Sequence, residues 1–175
     1  RARDRALIID SLVQQGRDID DVDKTKRSAL FYAVENANFE VIKVLVKLGA
    51  YVNRVDMYKE TPLIVAVKKK HAREVVFLVN NGADIEAKDI NGFTPFHSLC
   101  AHLSSYSQNL DEKMAKILIA NNCKYNFMLK KDNKMQSFIE WMDDKSDKMH
   151  LSNKRALKKL IREKAAREAI ITCLM

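Results

Sequence analysis

The feature that most constrains this chain is a period of about 33 residues. Its clearest unit runs from Asp56 to Glu86, DMYKETPLIVAVKKKHAREVVFLVNNGADIE. Thr61-Pro62 opens an apolar run to Val67, the charged stretch 68–73 interrupts it, and Val75–Val79 follows before Asn81-Gly82 closes the unit. Two short helices and a turn are the plain reading. Thr61 stands at a cap position, Pro62 at the first helical position, where no N–H is needed, and Gly82 where a left-handed residue ends a helix. Asp23, Ala33, Leu45, Gly49 and Ala50 precede their counterparts by the same interval, and Asp89, Thr94, Pro95 and Phe96 follow theirs. Such regularity predicts stacked helical hairpins, each burying its apolar face on its neighbours.

The residues that carry the period also carry a resemblance. Asp89-Ile90-Asn91-Gly92-Phe93-Thr94-Pro95-Phe96-His97 resembles the ankyrin signature D-x-x-G-x-T-P-L-H, and Asn81–Glu86 and Leu48–Asn53 resemble the family's G-A-D-V-N ending. The resemblance covers residues 6 to 126. It implies an all-α ankyrin-repeat solenoid of stacked helix-turn-helix units with short hairpin-like loops. It also implies a protein-binding module, whether scaffold, adaptor or inhibitor, with its partner on the concave face.

Residues 6–20 read as the second half of a repeat, with Leu7, Ile8, Leu12 and Val13 at helical spacing and Gly16 in the closing turn. Repeats at about 21–53, 54–86 and 87–126 follow, giving an array over 1–128. In the first full repeat Ser28-Ala29-Leu30-Phe31 replaces T-P-L-H. Ser28 remains a candidate cap, Phe31 lacks the histidine hydrogen bond, and Lys26 takes the turn-glycine position, as Lys59 does one repeat later. From Gly82 to Asn122 the spacing is 40, so seven extra residues are expected within His102–Asp111. After Asn126 the pattern degrades. Asp132–Met142 aligns as a divergent repeat start, and a final helix capped near Ser152-Asn153 places Leu157, Leu160 and Ile161 on one face. Residues 129–175 thus read as a divergent terminal repeat and capping helix.

The net charge is +8. Residues 129–175 hold 12 basic and 7 acidic side chains, so the tail carries +5 of it. That makes nucleic-acid or anionic-surface binding through the basic C-terminal helix the alternative function, although little aromatic interleaving supports base stacking. No apolar run approaches the ~20 residues of a membrane span. Three scattered cysteines form no disulfide framework, so an intracellular, cytoplasmic or nuclear location is expected. The start at Arg1-Ala2-Arg3, without methionine or signal pattern, reads as a piece of a longer chain.

Catalytic signatures are missing. With 4 glycines there is no phosphate cradle, and His97, Cys100 and His102 match no zinc spacing. Neither an enzyme nor a cofactor or metal site is expected. The resemblance instead implies a partner surface of loop tips and inner-helix faces, which by position holds Lys24 and Arg27 on the first loop, Met57 and Tyr58 on the second, Ile90, Asn91 and Phe93 on the third, and Lys68 and Lys69 on the inner helix. Apolar and aromatic side chains at such exposed positions mark interfaces.

Overall fold

The computed structural model describes residues 11, 14–101, 108–124, 128–131, 134–137, 155 and 157–166. Leu7, Ile8, Leu12, Val13, Trp141 and Ser152-Asn153 lie outside the described residues. The chain divides into two units, Arg1–Ser98 and Leu99–Met175.

In the first unit the 33-residue period becomes paired helices. Helix α1 (Ala29–Glu35) is followed by α2 (Phe39–Lys47), α3 (Pro62–Lys68) by α4 (Ala72–Asn80), and α5 (Pro95–Ala101) begins the next pair. Helices of seven and nine residues are too short to persist alone in water. Stacking holds them: α1 packs on α2, α3 on α4, and α1 on α3. Pro62 to Val67 are all buried, as expected of an inner helix with neighbours around it. The outer helices bury one stripe each, Val41, Ile42 and Leu45 in α2 and Ala72, Val75 and Leu78 in α4.

Turns recur with the helices. The closing turns place Gly16, Gly49, Gly82 and Asn122 at positive φ, as their sequence positions predict. Thr61 Oγ1 accepts the Ile64 N–H at 3.3 Å, completing the expected cap ahead of Pro62. Ser28 departs from expectation. Its backbone is extended as at a cap, but its side chain makes no capping bond, and its buried Oγ has no partner among the described residues. The first loop is pinned differently: the Tyr32 hydroxyl donates to Asp23 Oδ2 at 2.6 Å.

Side chains also join one repeat to the next. Asp20 accepts the Tyr51 N–H at 3.0 Å, and Asn53, 33 residues on, accepts the Asp84 N–H at 2.7 Å while donating to the Gly82 carbonyl. His71 Nδ1 donates to the Val34 carbonyl at 3.0 Å, tying the α3–α4 turn to the end of α1.

The second unit contains α6 (Gln108–Ala120) and a helix at 157–166. Six positions separate α5 from α6, where three separate α1 from α2 and α3 from α4, and α6 has 13 residues against nine in α4. These two differences account for the seven extra residues. The insertion therefore does not lie wholly outside the helices as the polar stretch His102–Asp111 suggests, because Gln108–Asp111 begin α6. A short antiparallel hairpin, β1 (Met128–Lys131) with β2 (Lys134–Ser137), pairs Met128 with Ser137. It is a small addition to an otherwise helical fold. Leu157 and Ile161, one helical turn apart, are buried, and Lys164 Nζ donates to the Ile119 carbonyl at 3.1 Å. That carbonyl also accepts the Asn122 N–H at 3.1 Å, and a cation at this end of α6 opposes the negative helix end.

Candidate partner-binding surface

Each loop between repeats is built around one aspartate. Asp56 Oδ1 accepts the Tyr58 N–H at 2.8 Å and the Glu60 N–H at 3.0 Å. Asp23 Oδ1 does the same for Thr25 and Arg27, and Asp89 Oδ1 for Asn91 and Phe93. The main chain closes each loop as well, through Asp23 N–H to the Arg27 carbonyl, Asp56 to Glu60 and Asp89 to Phe93. A carboxylate gripping two amides forces a tight loop, whose fourth position then adopts positive φ: Lys26 at 62°, Lys59 at 57° and Gly92 at 80°. Successive tips touch through their backbones. The Met57 N–H donates to the Thr25 carbonyl at 2.9 Å and the Ile90 N–H to the Tyr58 carbonyl at 2.8 Å.

This alignment brings several predicted residues onto one edge. Met57, Tyr58 and Ile90 are 49%, 51% and 60% exposed, so the neighbouring tips do not cover them. Lys24 and Asn91 are exposed on the same tips. Phe93 is not in that row. It is half-buried and stacks on the His97 ring at 5.8 Å with planes 3° apart. His97 Nδ1 accepts from Thr94 N at 3.2 Å and lies 2.7 Å from Thr94 Oγ1, which fixes the neutral ring with its proton on Nε2. Burial, with Lys88 nearby, lowers the His97 pKa from 6.5 to about 4. Histidine and phenylalanine together thus stiffen the third loop.

The predicted cations also fall into two groups. Arg27 Nε meets Asp56 Oδ2 at 3.2 Å, and its guanidinium meets Glu35 at 3.3 Å. Lys68 bonds Glu60 and reaches Asp89 Oδ2 at 3.5 Å. Both therefore link one repeat to the aspartate hub of the next, and their charge is neutralised inside the array. These partners favour the charged forms enough to raise both pKa values, although burial of each cation acts in the opposite direction. Lys69 is half-exposed with Glu35 at 3.5 Å. Lys24 has no ion pair among the described residues, and neither do Lys26 and Lys59. The sequence marks those last two only as glycine replacements. Their signal is their place: both sit at positive φ in the loop tips with their side chains exposed.

Family models for ankyrin repeats match residues 2–89 (three copies) and 63–119 (many copies). The chain belongs to the ankyrin-repeat family. Ankyrin arrays generally serve as protein–protein interaction modules. A search of curated proteins returned no match. Among the described residues no helix is long and apolar enough to cross a membrane, and no cluster of ligating side chains could hold a metal ion.

Proposed function

We propose that this ankyrin array is a protein-binding module whose partner docks along the edge formed by the loop tips, with Met57, Tyr58 and Ile90 as anchors. The observation that carries this reading is the exposed apolar row, held side by side by the Thr25–Met57 and Tyr58–Ile90 backbone bonds. Large apolar and tyrosine side chains on a rigid frame give up little conformational entropy on binding and bury much area. Asn91 and Phe93 frame the third tip, with Phe93 acting through its stack on His97. Arg27 and Lys68 belong to the scaffold that sets tip spacing, while Lys24 and the half-exposed Lys69 face solvent and favour acidic groups on the partner. Such docking serves an inhibitor, an adaptor or a scaffold equally.

The test is affinity capture from nuclease-treated lysate with the native chain and with a Tyr58→Ala/Ile90→Ala variant shown to be folded by circular dichroism. A protein retained by the native chain and lost from the variant supports the tip edge. Equal retention by both refutes it. Retention abolished by moderate salt yet indifferent to the substitutions would move the site to the basic residues of the C-terminal helix.

A further inference from the structure

The chemistry of the partner is written in the tips themselves. Their order along the edge is Lys24-Thr25-Lys26, Met57-Tyr58-Lys59 and Ile90-Asn91-Gly92, each tip bonded to the next. Met57, Tyr58 and Ile90 make a continuous apolar strip, and Lys24, Lys26 and Lys59 stand exposed beside it without a carboxylate partner among the described residues. The carboxylates nearest these tips are already committed. Asp56 and Asp89 are buried in their loops and Glu60 is bonded to Lys68, while Asp23 accepts the Tyr32 and Thr25 hydroxyls and keeps its charge at the surface. The edge is therefore apolar with a border on which Lys24, Lys26 and Lys59 outnumber the one exposed loop-hub carboxylate, Asp23, whereas Glu60 and Asp89 are bonded to Lys68.

Resting on the docking surface proposed above, we infer that its occupant is an extended, acidic-apolar stretch of polypeptide, with carboxylates about three residues apart and large apolar side chains between them. The spacing follows from the stack. Lys26 and Lys59 occupy the same position in successive repeats, whose packed helices lie about 8–10 Å apart. In the extended polyproline-II conformation a chain rises about 3.1 Å per residue with three residues per turn, so acids three residues apart share one face and match that interval. The lysine ammonium groups receive the carboxylates, and Met57, Tyr58 and Ile90 receive the intervening apolar groups. Charge complementarity at an exposed border chiefly sets partner choice and association rate, so loss of either lysine shows first in salt sensitivity.

The geometry of the tips supplies an unusual test. Lys26 and Lys59 sit at φ 62° and 57°, where glycine is the residue without strain. Lys26→Gly/Lys59→Gly therefore removes both charges and relaxes the loops, so weaker binding cannot be blamed on unfolding. The probe is a fluorescein-labelled peptide of about nine residues, with glutamate at every third position and leucine or phenylalanine between. Fluorescence anisotropy is compared with that of the same peptide carrying glutamine, and with a single-stranded oligonucleotide. The native chain should bind the glutamate peptide at least about fivefold more tightly than the glutamine peptide, and the double-glycine variant should lose that preference while melting no lower than the native chain. Failure of the native chain to bind the glutamate peptide, equal binding of the two peptides, or equal binding of the oligonucleotide overturns the inference. A partner captured through Tyr58 and Ile90 but indifferent to the glycine substitutions overturns only the acidic chemistry and leaves the docking edge standing. A partner indifferent to Tyr58→Ala/Ile90→Ala removes the edge and this inference with it.

Discussion

The aspartate at the centre of each loop makes a prediction with two arms. Asp56 is 2% exposed, and its carboxylate holds two backbone amides at 2.8 and 3.0 Å and the Arg27 Nε at 3.2 Å. Asp56→Ala removes all three bonds and leaves the two amides without their acceptor. Hydrogen bonds to a charged group contribute about 1.5–3 kcal/mol each, and relaxation of the loop toward water recovers part of that. A loss of about 3–4 kcal/mol is expected, or roughly 10 °C in melting temperature for a chain of this size. Asp56→Asn keeps an oxygen for both amides and sacrifices only the link to Arg27, which retains Glu35; about 1–2 kcal/mol is expected. Urea unfolding followed by circular dichroism at fixed protein concentration measures both. Equal losses for the two variants would mean that the ion pair, not the amide grip, holds the loop. A loss below about 1 kcal/mol for Asp56→Ala would refute the hub altogether.

Three further outcomes follow from the same loops and core. Lys59→Gly should raise stability by about 0.5–1 kcal/mol, since relief of left-handed strain exceeds the entropy that glycine adds to the unfolded chain; a lower melting temperature would contradict this. Leu78→Ala, at a site with no exposure, should cost about 2–5 kcal/mol in the same urea assay. His97 has a lower pKa folded than unfolded, so its contribution is complete above 6.5 and is lost as pH falls toward about 4. Because the ring is half-exposed, solvent screening reduces the effect to about 1 kcal/mol, and a histidine-ring NMR titration with a midpoint near 6.5 would rule out burial as a force on this ring.

The repeat is legible because stacking demands the same residue type at the same place in each unit. Gly49 and Gly82 announce closing turns and Thr61-Pro62 a helix start, and all of them adopt the predicted conformations. Exposure of Met57, Tyr58 and Ile90 is legible for a related reason, as large apolar groups at positions that no neighbour covers. What periodicity does not reveal is which side chains pair. Arg27 and Lys68 look like free cations in a one-dimensional reading, yet their partners lie 29 and 21 residues away in sequence, at Asp56 and Asp89. Phe93 reads as a tip residue in sequence, and its stack on His97 is a pairing that the period does not announce. Ser28 reads as a cap, and its backbone has a cap's conformation, a property that does not guarantee the bond. The β1–β2 hairpin falls where the period has faded, so no repeat position announces it.

The side-chain clasps at Asp20 and Asn53 bear on how such a chain can lengthen. Each reaches 31 residues forward to a loop amide, Asp20 to Tyr51 and Asn53 to Asp84. A gene segment copied in frame with the period would bring its own clasp and meet a receiving amide already in place. Aspartate and asparagine already serve interchangeably at this junction, so sequence drift within a copied unit need not break its seam. Growth by duplication is thus easy at the seams, while the row of tips is free to change its chemistry one repeat at a time.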